Sequence, residues 1–244
     1  VDAGLLHEDV QTIIGAGLRH VCREQFLKGG ELEWRDAPAE SLDADIVRPA
    51  SDPFDGEGGL RLVTGNVGRA IVKVSAVAPE HYSIKAPARV FSSQAAFTQA
   101  FNDGELETDF VAVLPGQGPR ANGMPELHKL TPYLGVLQNR GFKVALLTDG
   151  RMSGASGKVL AAIQVTPESL AGGVIGKIRD GDMVAIDANG GSMVVDAGDI
   201  DARPTPDADV ANRQLGMGRE LFAAFRERSD GAEQGAGIFT VADA

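Results

Sequence analysis

Two apolar runs, residues 110–114 (Phe-Val-Ala-Val-Leu) and 144–147 (Val-Ala-Leu-Leu), each lead directly into a glycine-rich loop, and a helix-length segment separates them. Neither run carries a polar residue, so a strand built from either must be covered on both faces, as strands of a parallel sheet are. Between them, Thr131-Pro132 places proline in a first helical turn, Leu134, Val136 and Leu137 supply apolar positions, and Arg140-Gly141 closes the segment. The order strand, glycine loop, helix, strand, glycine loop puts both loops at the same end of adjacent strands. A crevice at that end is the usual ligand site of such sheets.

The second loop reads Thr148-Asp149-Gly150-Arg151-Met152-Ser153-Gly154-Ala155-Ser156-Gly157-Lys158, after which an apolar segment, 159–165, resumes. Small residues let backbone approach a ligand closely here. A phosphate-cradling P-loop is excluded, because Met152 stands where that motif needs glycine and Val159 where it needs Ser or Thr. A nucleophile elbow is excluded too, since Ser153 lacks the glycine two positions before it and has one only immediately after.

The net charge of −11 argues against a nucleic-acid partner, which needs a basic face, and no run is long and apolar enough for a membrane span. An anionic substrate therefore requires a local cationic pocket. The chain begins at Val1 without a charged-then-apolar leader, which reads as a cytoplasmic fragment of a longer product. Cys22 is the only cysteine, so the chain can form neither an internal disulfide nor an all-cysteine iron-sulfur site.

Along the rest of the chain, Leu6, Val10, Ile13, Ile14 and Leu18 recur at helical spacing, predicting a helix over 5–23 with Cys22 as a buried or half-buried thiol at its end. Residues 31–59 read as a polar linker or wrapping arm. Strands are expected at 60–63 and 70–74, and a proline-interrupted one at 82–91. Ser92-Ser93 then caps a helix whose face is Ala96, Phe97, Ala100 and Phe101. A short helix start at 166–170 is followed by strands at 174–178, 183–187 and 193–195, separated by turns that suit a small barrel. A last helix over 215–226 shows Leu221, Phe222 and Phe225 on one face, and the small-residue tail from Ser229 is expected to pack on a partner domain or subunit. The resulting division is 1–59 helix and arm, 60–200 the site-bearing domain, and 201–244 helix and tail.

The stretch 148–154 resembles the TDGR-x-SG signature of the dihydroxyacid/phosphogluconate dehydratase family. The resemblance extends through Gly65-Asn66-Val67-Gly68-Arg69-Ala70, residues 118–129 (Gly-Pro-Arg-Ala-Asn-Gly-Met-Pro-Glu-Leu-His-Lys) and Ala232-Glu233-Gln234-Gly235-Ala236. It implies an α/β fold, a swivelling β/β/α barrel-like domain with flanking helices and an extended N-terminal arm. It also implies a hydro-lyase of the Entner-Doudoroff pathway that turns 6-phospho-D-gluconate into 2-dehydro-3-deoxy-6-phosphogluconate. Residues 152–158 and Leu127-His128-Lys129 point to that sugar-acid phosphate branch. By the same resemblance Ser153 is the base for the C2 proton and Glu126 a ligand of a divalent cation, magnesium being expected. Arg151, Lys158, Lys129, His128, Asn122 and Ser156 are the candidates for holding substrate. An iron-sulfur cluster, 4Fe-4S, is implied with all its cysteines in a missing N-terminal domain, so the isolated chain is expected to be inactive and the complete enzyme to be a homodimer.

Taken alone, the same residues have ordinary readings. Ser153 is a turn hydroxyl, Glu126 a solvated loop charge or helix-start residue, and Arg69 and the other cations surface groups. Dihydroxyacid or another sugar-acid dehydration is the enzymatic alternative. The non-enzymatic ones are a sugar-acid or phosphate-binding module and an interaction domain whose glycine loops serve only packing.

Overall fold

The computed structural model describes residues 1–152, 157–204, 215–216 and 218–239, in two compact units, Val1–Gly58 and Gly59–Ala244. The larger unit is α/β, built on a closed eight-stranded mixed barrel ordered β10-β6-β5-β12-β11-β7-β8-β9. Its strands are β5 (Leu60–Gly65), β6 (Gly68–Lys73), β7 (Ser83–Val90), β8 (Phe110–Leu114), β9 (Val144–Thr148), β10 (Leu160–Thr166), β11 (Met183–Asp187) and β12 (Ser192–Asp196). β7, β8, β9 and β10 run parallel to one another, and most of the other neighbours are antiparallel. The exception, β5 beside β12, is parallel with a single register pair, Ser192 opposite Thr64. There the Asn66 side chain extends the ladder, donating to Val195 O at 2.8 Å and accepting from Val195 N at 2.9 Å.

Strand alternation sorts the apolar runs into two cores. Val111, Val113, Ala145 and Leu147 point into the barrel with Val72, Ile84, Ile186 and Met193. Phe110, Ala112, Leu114, Val144 and Leu146 point outward, under helices α1 (Gln94–Asn102) and α3 (Leu130–Asn139), where they meet Phe97, Leu130, Leu134 and Leu137. Ser93 caps α1 as expected, its side chain accepting from Ala96 N. Between β8 and α3 lies a single turn, α2 (Pro119–Asn122). Among the described residues no helix is long and apolar enough to cross a membrane.

Several expectations are corrected. Residues 5–23 form no helix but short strands β1 (Gln11–Thr12) and β2 (Gly15–Ala16) and a 3-10 turn, Arg19–Cys22. Gly15 and Gly17 adopt φ of +146° and +81°, which a right-handed helix cannot accommodate, and no residue of the unit is buried to hold an apolar helical face. Cys22 is exposed rather than buried. The start of the supposed linker is a strand, β4 (Glu31–Asp36), paired antiparallel with β3 (Arg23–Lys28). Gly29 and Gly30, with φ of +62° and +93°, form the two-residue turn between them.

β7 runs unbroken through Pro87, which lies opposite Met183. In place of a strand at 174–178 is a 3-10 turn, Val174–Lys177, because buried Ile175 and Ile178 are three residues apart, the period of that helix and not of a strand. The 166–170 helix start is only a 3-10 turn at Ser169–Ala171. The last helix is reduced to a 3-10 turn, Glu220–Phe222, and α4 (Ala223–Arg228), preceded by Gly216 and Gly218 at positive φ. Its face is reversed: Arg226 is buried, whereas Leu221, Phe222 and Phe225 are exposed.

Candidate active site

Parallel pairing of β8 and β9 sets Leu114 level with Thr148, so the two glycine loops leave the sheet side by side, as their order in the sequence implies. Thr148 joins them first. Its hydroxyl donates to Leu114 O at 2.8 Å and accepts from Gly150 N at 3.0 Å. Asp149 joins them more firmly. Completely buried, its carboxylate accepts from Gly116 N at 3.1 Å, Gln117 N at 2.7 Å and Ser169 N at 2.9 Å. Such a charge is tolerable in a dry site only because N–H donors replace water around it. Gly150 must be glycine, since a Cβ there would stand 2.7 Å from Gln117 Cβ and 2.9 Å from Leu127 Cδ1.

Glu168 performs a parallel task for α2, its carboxylate accepting from Arg120 N at 3.1 Å and Ala121 N at 3.2 Å. Burial raises its pKa above the ordinary glutamate value, the nearby Asp149 charge adds to the rise, and the two N–H bonds oppose it. The close approach of Glu168 requires Gly118, where a Cβ would lie 2.2 Å from Glu168 Oε2.

After α2 the chain reverses through Gly123 and Met124, both at positive φ, and Pro125 delivers Glu126 to a parallel bridge with Arg151. Arg151 is fastened there three ways. Its Nε donates to Met124 O at 2.9 Å, its Nη1 contacts Glu126 Oε2 at 3.0 Å, and its carbonyl accepts from Leu127 N at 3.1 Å. The start of α1 joins the same end, with Gln94 Nε2 donating to Glu126 O at 3.4 Å. Beside Pro125 opens a crevice of about 450 Å³, lined by Ser92, Ser93, Gln94, Gln117, Asn122 and Arg219 among others. Asn122 Nδ2 donates to Gln117 Oε1 at 2.8 Å.

Glu126 and Arg151 are therefore brought into contact, and Asn122 lies at the same end, bonded to Gln117. His128 and Lys129 are exposed just before α3, at the same end. Lys158 is not with them. β10 starts at Leu160 beside Ala145, near the opposite end of β9, and Lys158 O accepts from Gln138 at the end of α3. Ser153 and Ser156 lie outside the described residues. Arg69 is at the Glu126 end, 3.2 Å from Glu233 in an ion pair. The start of the tail, which is expected to pack on a partner domain or subunit, also contacts its own unit: Ser229 is buried, and its carbonyl accepts from Arg120 Nε at 2.8 Å.

The sequence reading missed the tasks of Asp149, Gln117 and Glu168. An acidic residue two positions after the fully apolar run 144–147 was the available signal for Asp149. Nothing local marks Glu168, whose partners are 47 and 48 residues away.

The model of the dihydroxy-acid/6-phosphogluconate dehydratase C-terminal family matches residues 45–236. Phosphogluconate dehydratase of Pseudomonas aeruginosa is 59% identical over 242 residues, 98% of this chain and 40% of the relative. The enzyme of the same name from Escherichia coli (strain K12) is 50% identical over 240 residues, again 98% of this chain and 40% of the relative. Dihydroxy-acid dehydratase of Sulfurisphaera tokodaii is 38% identical over 199 residues, 80% of this chain and 33% of the relative. The chain thus spans 40% of the length of the phosphogluconate relatives it matches.

Proposed function

The chain belongs to the dihydroxy-acid/6-phosphogluconate dehydratase family as its C-terminal part, and on that premise we propose that it supplies one wall of the active site of an enzyme dehydrating 6-phospho-D-gluconate to 2-dehydro-3-deoxy-6-phosphogluconate, a cytoplasmic Entner-Doudoroff step. The observation that carries the choice of substrate is the likeness to phosphogluconate dehydratases over 98% of the chain at 50% to 59% identity, against 38% over 80% for a dihydroxy-acid dehydratase. The pinned pair of loops supports a catalytic reading over a packing one, because it presents Glu126 and Arg151 at the strand ends where such sheets bind ligands.

The described residues do not make a complete cofactor site. Among them no three His, Cys, Asp or Glu side chains converge on a cation site, and Cys22 is the chain's only thiol. Glu126 is this domain's contribution, one oxygen ligand for a hard divalent cation such as magnesium. The other ligands and the 4Fe-4S cysteines belong to the N-terminal part of the polypeptide.

The chain's own residues account for binding and proton movement. Arg151, with His128, Lys129 and Asn122 at the same end, orients the anionic ends of the substrate, and Asp149 holds the two loops in register. Ser153 takes the proton from C2, the C3 hydroxyl departs as water, and the enol gains a proton at C3 as it becomes the 2-keto acid. On this proposal, reorientation of the barrel against the rest of a dimeric enzyme brings Ser153 to the substrate. The isolated chain is inactive on this reading.

The test uses full-length enzyme. Ser153→Ala should slow exchange of the C2 proton with deuterated water by about 10² to 10⁴ while leaving the fold intact. Exchange at the wild-type rate assigns the base elsewhere. Glu126→Gln should raise the divalent-cation concentration needed for half-maximal activity, and an unchanged cation titration removes it from the metal.

A further inference from the structure

The β3–β4 hairpin of the smaller unit has two chemically different faces. Residues paired across it share a face, and successive pairs alternate. One face carries Glu24 with Arg35, Phe26 with Glu33, and Lys28 with Glu31. It is built for water: Arg35 contacts Glu24 at 2.6 Å and Lys28 contacts Glu33 at 3.4 Å, while the Arg35 guanidinium lies 4.8 Å from the centre of the Phe26 ring and covers it. The other face carries Arg23 with Asp36, Gln25 with Trp34, and Leu27 with Leu32. Leu27 is 71% exposed, Leu32 67% and Trp34 47%.

No residue of Val1–Gly58 is buried, and an isolated two-stranded hairpin is at best marginal in water. An apolar face opposite a finished polar one, centred on a tryptophan, has the composition of an interface centre. The relatives show what is available to cover it. This chain matches 40% of the length of the phosphogluconate dehydratases, and the family region it matches is C-terminal, so in them a long stretch of the same polypeptide precedes the matched part. A covalently joined body meets the hairpin at a high effective concentration, an advantage that a second copy lacks.

We propose that the Leu27, Leu32 and Trp34 face of this hairpin is a docking surface for the preceding, N-terminal part of the same polypeptide. The surface is an intramolecular interdomain contact, and the inference is independent of which sugar acid the enzyme takes.

The experiment compares two introduced cysteines, one per variant, in full-length enzyme carrying Cys22→Ser. Leu32→Cys sits on the apolar face and Glu33→Cys on the charged one. Both positions fall in the tryptic peptide 29–35, between Lys28 and Arg35, so maleimide labelling of each is read by mass spectrometry without interference from other cysteines. The expected result is labelling of Leu32→Cys about tenfold or more slower than of Glu33→Cys, because reaction requires the interface to open. Protection should persist on dilution and be absent in the 244-residue chain. Equal labelling of the two probes in full-length enzyme overturns the proposal. Protection that disappears on dilution also overturns it, by assigning the face to a second copy. Neither outcome depends on dehydratase activity, so the result stands whether or not the proposed reaction is correct.

Discussion

Replacing Asp149 with asparagine removes one acceptor from the point where the two site loops are fastened. In the wild type, Oδ1 accepts from Gln117 N, and Oδ2 accepts from both Gly116 N and Ser169 N. The best asparagine rotamer keeps its single oxygen on the pair of donors and turns its NH₂ toward Gln117 N, which loses its partner and faces another donor. A hydrogen bond to a charged group contributes about 1.5–3 kcal/mol, and two more fall to neutral strength, nearer 1 kcal/mol each. Relief of the buried charge offsets part of this, leaving a net loss of roughly 3 kcal/mol. For a chain of this size that lowers Tm by about 6–12 °C. Far-UV circular dichroism of the 244-residue chain is the appropriate readout, because its only tryptophan, Trp34, lies in the smaller unit and does not report on the barrel. A Tm within about 2 °C of wild type would falsify the claim that this carboxylate fastens the loops. In full-length enzyme the same substitution should lower kcat/KM, since displaced loops misplace Glu126 and Arg151 together.

Three other outcomes follow from particular groups. Because the folded-state pKa of Glu168 is raised, the stability associated with this carboxyl is fully present below the ordinary glutamate value, about 4.3, and is lost as pH rises through the raised folded value. Urea midpoints of wild type should therefore fall relative to Glu168→Gln as pH rises from acid to neutral, and a constant gap between the two would contradict the shift. Lys158, at the opposite end of β9 from Arg151, should tolerate alanine with KM for 6-phosphogluconate changed by no more than about twofold, as for a surface substitution. Lys129→Ala should raise that KM clearly. The reverse result would place the phosphate at Lys158 and show that the loop before it reaches the site.

Elements whose hydrophobic period matched a surface to be buried were legible locally. β8 and β9 could be read from unbroken apolar runs, α1 from Ser93 and the Phe97 face, and the shared end of the two loops from a helix between parallel strands. Where period and burial disagreed, the local reading failed. The 5–23 segment has helical spacing but nothing in its unit to bury that face, and its glycines adopt positive φ. In the 215–226 segment the apolar face stayed in solvent while Arg226 went inside.

The amino-acid sequence by itself determined the two-sided burial of the central strands, the glycine loops at their ends, and the exclusion of a P-loop, a nucleophile elbow and a self-contained cluster site. These depend on side-chain chemistry at neighbouring positions, and neighbours along a chain are always neighbours in space. Only the tertiary structure decided that Asp149 binds backbone from two other segments, that Glu168 caps a turn some fifty residues earlier, and that Lys158 stands apart from Arg151 despite lying seven residues away. Those relations follow from strand register and loop path, set by the packing of the whole barrel, and residues distant in sequence acquire a common task only once that packing has closed.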